Sequence, residues 1–231
     1  MKRFWTTTAP RWQNGSYQVL LDNRPVKLPS GTPLKVPCAE LADAIAQEWE
    51  ATSGTFTPDD LPLTQLVCTA VERVSPHRGE IIQSLVAYGL NDLLCYRAES
   101  PATLVARQHE QWDPWLQWLE RTHGIALITT NGLMPVNQLP WTKDKLTALL
   151  TDQSDYELAA LGILIPTLGS FVLGLALTQG ALSPETACAA AALDEIWQAE
   201  QWSEDPEDKA KRQSTLRDVK NTIRFLTLIK K

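Results

Sequence analysis

The sequence predicts an α+β fold, with a small N-terminal antiparallel β domain followed by a larger, mostly α-helical C-terminal domain. Three observations predict it. The first 37 residues alternate short apolar runs with turn residues, whereas the rest repeats apolar residues at helical spacing. The 231 residues, 44% hydrophobic and 21% charged, suffice for a buried core. No repeat or low-complexity tract interrupts them.

In the N-terminal part, Tyr17-Gln18-Val19-Leu20-Leu21 and Val26-Lys27-Leu28 flank the turn-rich joint Asp22-Asn23-Arg24-Pro25. Pro29-Ser30-Gly31 makes a second turn, and Leu34-Lys35-Val36 is a third short strand closed by Pro37. Helical faces follow. Leu41, Ile45 and Trp49 recur every four residues, and Leu66, Val67, Ala70, Val71 and Val74 resume the pattern after Pro58 and Pro62. Ile81, Ile82, Leu85, Val86, Leu93 and Leu94 mark a further helix. Leu104, Trp112, Trp115, Leu116 and Leu119 mark another, kinked or restarted at Pro114. Residues 125–137 read as β, with a turn at Asn131-Gly132, and are a candidate to return to the N-terminal sheet. Ser183 before Pro184-Glu185 caps a helix after Gly180 stops the preceding one. Asp205-Pro206-Glu207-Asp208 opens the last helix, with Leu216, Val219, Ile223 and Leu226 on its inner side. The expected division is a β-rich domain over 1–55 and a helical domain over 56–231.

Residues 158–177 carry no charge, long enough to cross a bilayer. Pro166, three glycines, Asp152, Asp155 and Glu157, and the lack of Lys or Arg between Lys145 and Lys209 favour buried helices broken near Pro166 instead. Neither membrane insertion nor, at net charge -6, nucleic-acid binding is expected. The basic residues from Lys209 to Lys231 are interleaved with acids, as on a solvated helix face. Met1 to Thr6 carries no apolar leader signal. The four cysteines lie far apart in apolar surroundings and the three histidines stand away from them. Reduced buried thiols and no metal site are therefore expected.

Catalytic patterns are missing as well. No phosphate-binding glycine loop or GxSxG elbow occurs, and Ser170 reads as a helix-packing residue. Asp59-Asp60 reads as a capped loop before Pro62. An enzyme would have to draw on carboxylates such as Asp92, Asp113 and Glu204. Nine tryptophans are many: of Trp112, Trp115 and Trp118, at least two are expected in the core. Trp197 and Trp202 lie in the acidic stretch from Asp194 to Asp205, a composition that suits protein recognition. The residues alone favour a binding protein over an enzyme, with no cofactor.

Several segments, in order, resemble the ATP12 chaperone family of mitochondria and alphaproteobacteria. They are Tyr17-x-Val19-x-Leu21-Asp22-x-Arg24-Pro25-Val26-Lys27, Leu41-Ala42-x-Ala44-Ile45-Ala46-x-Glu48-Trp49 and Leu61-Pro62-Leu63-Thr64. Then come Tyr88-x-x-x-Asp92-Leu93-Leu94-Cys95-Tyr96-Arg97-Ala98, Gln108-x-x-x-Trp112-Asp113-Pro114, Gly169-Ser170-x-Val172-Leu173, and Leu193-Asp194-Glu195-x-Trp197-Gln198-x-x-x-Trp202-Ser203-Glu204-Asp205. The chain departs from the family at Leu28, Ile196 and Ser203. The resemblance implies an ATP-independent chaperone, not an enzyme, that binds the F1 ATP synthase alpha subunit and prevents its aggregation before assembly with beta. It implies a structural role for Trp49 and client contact by Asp194 and Glu195, with Gln198, Trp202 and Asp205 in the same segment. A protein monomeric when free is expected, in the bacterial cytoplasm, or in the mitochondrial matrix if the source is eukaryotic.

Overall fold

The computed structural model describes residues 1–132, 134–202 and 205–230. It has a small N-terminal antiparallel sheet and a larger helical part. Strand β1 (Thr8–Gln13) turns through Asn14-Gly15, both at positive φ, into β2 (Ser16–Leu21). Such a two-residue turn demands left-handed backbone, which Asn and Gly adopt at least cost. Asp22 and Asn23, also at positive φ, turn β2 into β3 (Arg24–Pro25), and β4 (Lys35–Val36) pairs with the other end of β2. The expected strand at Val26–Leu28 shrinks to backbone bonds from Val26 N to Val19 O, Leu34 N to Val26 O and Leu28 N to Thr32 O around a bridge from Lys27 to Pro33, because the chain there already curls into the next turn.

Helix α1 (Ala39–Ala51) packs on β1 and β2 with Leu41, Ala42, Ala44, Ile45 and Ala46 buried. Helix α2 (Pro62–Cys68) begins at a proline, whose missing N–H costs nothing in a first turn, and widens into a π-helical turn, Thr69–Val74. Helix α3 (Ser75–Leu90) ends before Leu93 and Leu94, which fall in a 3-10 turn, Leu93–Cys95. Strand β5 (Tyr96–Arg97) leads to α4 (Ala102–His123), which keeps Pro114 inside one continuous helix. The expected restart there does not occur.

Strand β6 (Thr130–Asn131) pairs in parallel with β5 in a separate two-stranded sheet, not with the N-terminal sheet. The link is local: Gly132 N donates to Arg97 O at 2.9 Å, so the stretch is held where α4 delivers it. Helices α5 (Thr142–Thr151), α6 (Asp155–Leu168), α7 (Phe171–Thr178), α8 (Pro184–Ala191), α9 (Leu193–Trp202) and α10 (Pro206–Ile229) complete the chain. The uncharged stretch 158–177 is bent at Gly169-Ser170, three residues beyond Pro166. Among the described residues no helix is long and apolar enough to cross a membrane.

The chain forms two compact units. One comprises Met1–Arg78, Asp155–Ala160 and Asn221–Lys231; the other comprises Gly79–Ser154 and Leu161–Lys220. The first is centred on the sheet and α1, with Val19, Leu34, Leu41, Ile45, Val67 and Phe225 fully enclosed. The second is centred on α7, every residue of which is buried. Gly89 of α3 meets this core so closely that a Cβ would lie 2.7 Å from Leu146 and 3.2 Å from Phe171.

Candidate functional site

The second unit is organised by a buried carboxylate. Asp92 follows α3 and is wholly enclosed. Its Oδ1 accepts from Leu94 N at 2.9 Å and its Oδ2 from Val172 N at 2.9 Å. The Ser170 hydroxyl donates to both oxygens at 2.8 and 3.0 Å and also accepts from Leu173 N at 3.1 Å. Ser170 thus caps α7 at the bend, where Gly169 (φ 63°) ends α6, and does not lie inside a helix as the sequence pattern suggests. Burial pushes the Asp92 carboxyl up to about 6, against the lowering pull of the donors from Val172, Leu94, Ser170 and Phe171. The clasp closes orphan N–H groups at two helical starts, which an uncapped apolar bend would leave bare.

Helix α4 then positions α8 and α9. Buried Trp112 donates its indole N–H to Ala190 O at 2.8 Å. Gln108, also buried, accepts from Ala98 N at 2.8 Å and donates to Asp194 Oδ1 at 2.8 Å. Arg107 makes a two-pronged ion pair with Glu200, at 2.6 and 3.0 Å. The Arg97 guanidinium lies over Trp112, 5.2 Å from its ring centre, and binds Leu94 O and Asp113; His109 contacts the other Asp113 oxygen at 2.8 Å. Asp92 and Asp113 are therefore occupied in structural contacts, and Glu204, the third carboxylate of the enzyme reading, lies outside the described residues. No group of metal-ligating side chains occurs among the described residues. Trp112 is core, whereas Trp115 and Trp118 are only half-buried, because α4 turns one face inward.

Four of the predicted client residues divide between the two faces of α9. Asp194 points to α4 through Gln108. Glu195, Gln198 and Trp202 follow the helical repeat on the exposed side; Trp202 is 72% exposed, edge-on to Trp197 at 6.3 Å. Asp205 lies at the start of α10, its carboxylate accepting from Glu207 N at 2.8 Å. Ser203, a departure from the family pattern, lies outside the described residues.

Beside α9 lies an open groove of about 600 Å³. Its floor is Leu93, Pro166, Leu168 and Gly169 from the clasped bend; α8 supplies Cys188 and Ala189, the joint after it Ala192, and α9 Ile196. The rim carries Glu185 and Glu195 on one side and Lys209, Lys211 and Arg212 of α10 on the other. Sequence reasoning missed this groove. Its apolar residues are mostly alanines and single aliphatics, drawn from four separate segments.

In the first unit, Trp49 lies against Trp5 and Phe56, with ring centres 5.1 and 5.9 Å away, and donates to Thr64 Oγ1 at 3.0 Å. The neighbouring Glu48 accepts from Leu63 N at 2.7 Å, Thr64 N at 3.0 Å and the Thr64 hydroxyl at 2.8 Å, capping α2 from α1. Burial raises the Glu48 carboxyl above its usual range despite these donors. Asp60 closes a capping box on Thr57, with Thr57 N at 2.8 Å. Burial likewise pushes the thiols of Cys68 and Cys188 up to about 11 and that of Cys95 up to about 12, and all four cysteines are free.

An α+β scaffold with structurally committed buried acids and an open apolar groove has the features of a binding protein. Residues 2–120 match the family model described as ATP12 chaperone protein, and the chain belongs to that family of ATP synthase assembly chaperones. It is 29% identical over 213 residues to mitochondrial atp12 of Schizosaccharomyces pombe, covering 87% of this chain and 73% of that one. The crystal structure of Atp12 from Paracoccus denitrificans superposes with a TM-score of 0.93 at 38% identity, covering 99% of this chain and 98% of that one. Atu1473 from Agrobacterium tumefaciens, described as a putative chaperone, gives 0.93 at 34% identity, over 98% of this chain and 85% of that one.

Proposed function

We propose that the chain holds the F1 ATP synthase alpha subunit before its assembly with beta, without using nucleotide, and prevents its aggregation. The observation that carries this reading is the surface of α9. There Glu195, Gln198 and Trp202 face outward beside an apolar groove, and Glu195 has no ion-pair partner among the described residues. An exposed subunit face self-associates unless covered. A chaperone that covers it with moderate affinity yields to the larger permanent interface between subunits. Trp49 serves the scaffold, and Asp194 and Asp205 contribute to client contact from the flanks of the surface. The free protein is a monomer working in the bacterial cytoplasm, or in the mitochondrial matrix if the source is eukaryotic.

Light scattering of isolated F1 alpha, with and without the full chain in nucleotide-free buffer, tests the reading. Suppressed scattering and co-purification with alpha expressed without beta are expected. Equal precipitation with and without the chain would refute it.

A further inference from the structure

We propose that the groove flanked by α8, α9 and the first half of α10 seats an amphipathic helix of the client polypeptide, its basic flank toward Glu195 and its acidic flank toward Lys211 on the α10 side. The proposal rests on the chaperone reading and specifies what that surface holds. Both long walls are helical. Glu185, Cys188 and Ala189 of α8 are spaced three and four residues from the first, and Lys209, Arg212, Gln213 and Leu216 of α10 three, four and seven. These are the ridges against which a third helix packs. An extended segment would bring unpaired backbone N–H and C=O groups onto the apolar floor of Leu93, Pro166, Leu168 and Gly169, whereas a helix satisfies its own.

Helix α10 supplies a second, independent argument. No residue from Pro206 to Asp218 is buried, and Val219 is the first that is. A helix without an apolar stripe has little reason of its own to keep its place. Here about 20 Å of such helix walls an apolar trough. Lys220 ties it to Glu185 at 2.7 Å, which occupies that acid and leaves Glu195 as the open charge of the α8–α9 wall. Glu207 and Asp208 lie on α10 outside the groove lining. The groove is therefore apolar below, acidic on one bank and basic on the other. Complementary flanks select a partner by charge as well as by shape.

The test uses the full chain and three fluorescein-labelled helical peptides that share one leucine stripe, read by fluorescence anisotropy. The first has Lys on one flank and Glu on the other, the second Lys on both, the third Glu on both. The mixed-flank peptide should bind tightest. Ala189→Trp, at an exposed position, should weaken it by about tenfold or more, with an unchanged circular dichroism spectrum. Glu195→Lys makes both banks basic and should transfer the preference to the peptide with Glu on both flanks. Absent peptide binding, an Ala189→Trp chain that binds as well as the parent, or a preference unmoved by Glu195→Lys would each overturn the proposal. So would a self-associated chain that Ala189→Trp converts to monomer, since the groove would then belong to a second copy. Suppression of F1 alpha aggregation is scored separately. If the parent and Ala189→Trp chains suppress it equally, the groove assignment fails and the chaperone reading stands. If the parent fails to suppress it while the mixed-flank peptide binds as expected, the chaperone reading fails and the groove remains.

Discussion

Two acids of the helical unit, Asp92 and Glu195, show how differently one residue class is used. Asp92 is wholly enclosed and accepts from two backbone amides and a hydroxyl that lie 78 to 80 residues away or just beyond it. Glu195 is exposed, has no partner among the described residues and borders the groove. The first kind of acid costs desolvation and is kept because it closes donors that no other group reaches. The second costs the fold nothing and is free for an incoming charge. Carboxylates in such a protein report function by how little the fold uses them.

The largest effect expected from this contrast is at Asp92. Asp92→Ala leaves Leu94 N, Val172 N and the Ser170 hydroxyl bare inside the core and should cost about 3–5 kcal/mol in chemical denaturation. A midpoint within error of the parent would show that the clasp is dispensable.

The second expectation concerns pH. The Asp92 carboxyl is raised from 3.8 to about 6 in the folded chain, so folding favours its protonated form. Its contribution is complete below about pH 4 and is lost as pH rises through 6, by up to about 3 kcal/mol. Asp92→Asn, which does not titrate, should gain stability relative to the parent across that window. Parallel stability curves for the two proteins would contradict this. Asp22, lowered to about 2 by the donors of Thr7 and Thr6, has the opposite sign: its contribution is present above about 4 and lost as pH falls through 2.

Next is Trp49→Phe, which keeps the ring stack but loses the bond to Thr64. A loss of about 1 kcal/mol in thermal or urea unfolding is expected. The smallest effect on stability is that of Glu195→Lys, within about 0.5 kcal/mol of the parent, while protection of F1 alpha drops. Asp194→Lys is a poorer probe, because it also breaks the bond from Gln108 that holds α9 to α4. If Glu195→Lys unfolds the chain, the division between committed and open acids is wrong.

Much of the fold was legible because its signals are local. The four-residue recurrence of Leu41, Ile45 and Trp49, the Ser183 cap and the Asp205-Pro206 start each lie within one turn of what they specify. Asn14-Gly15 is an equally local signal, yet the strand before it, β1, was not among those expected. The destination of β6 was not legible, since two paired residues carry no address in their own sequence. The Asp92 clasp was equally hidden: its partners are distant in the chain, and an isolated Asp before Leu93 resembles any loop residue. The groove failed to announce itself for a related reason. Alanine reads as filler in a helix, yet along α8 and α9 it makes room for another molecule.

The Asp92 clasp also has a consequence for timing. A contact between residues 78 positions apart cannot form until the intervening chain has been gathered in, which makes it a late event on the way to the native state. Contacts absent from the rate-limiting barrier govern escape, not arrival. In stopped-flow chevrons the clasp should therefore appear in the unfolding limb, with Asp92→Ala accelerating unfolding and leaving the refolding rate nearly unchanged. The same clasp that shapes the groove floor would then set how long a folded molecule lasts.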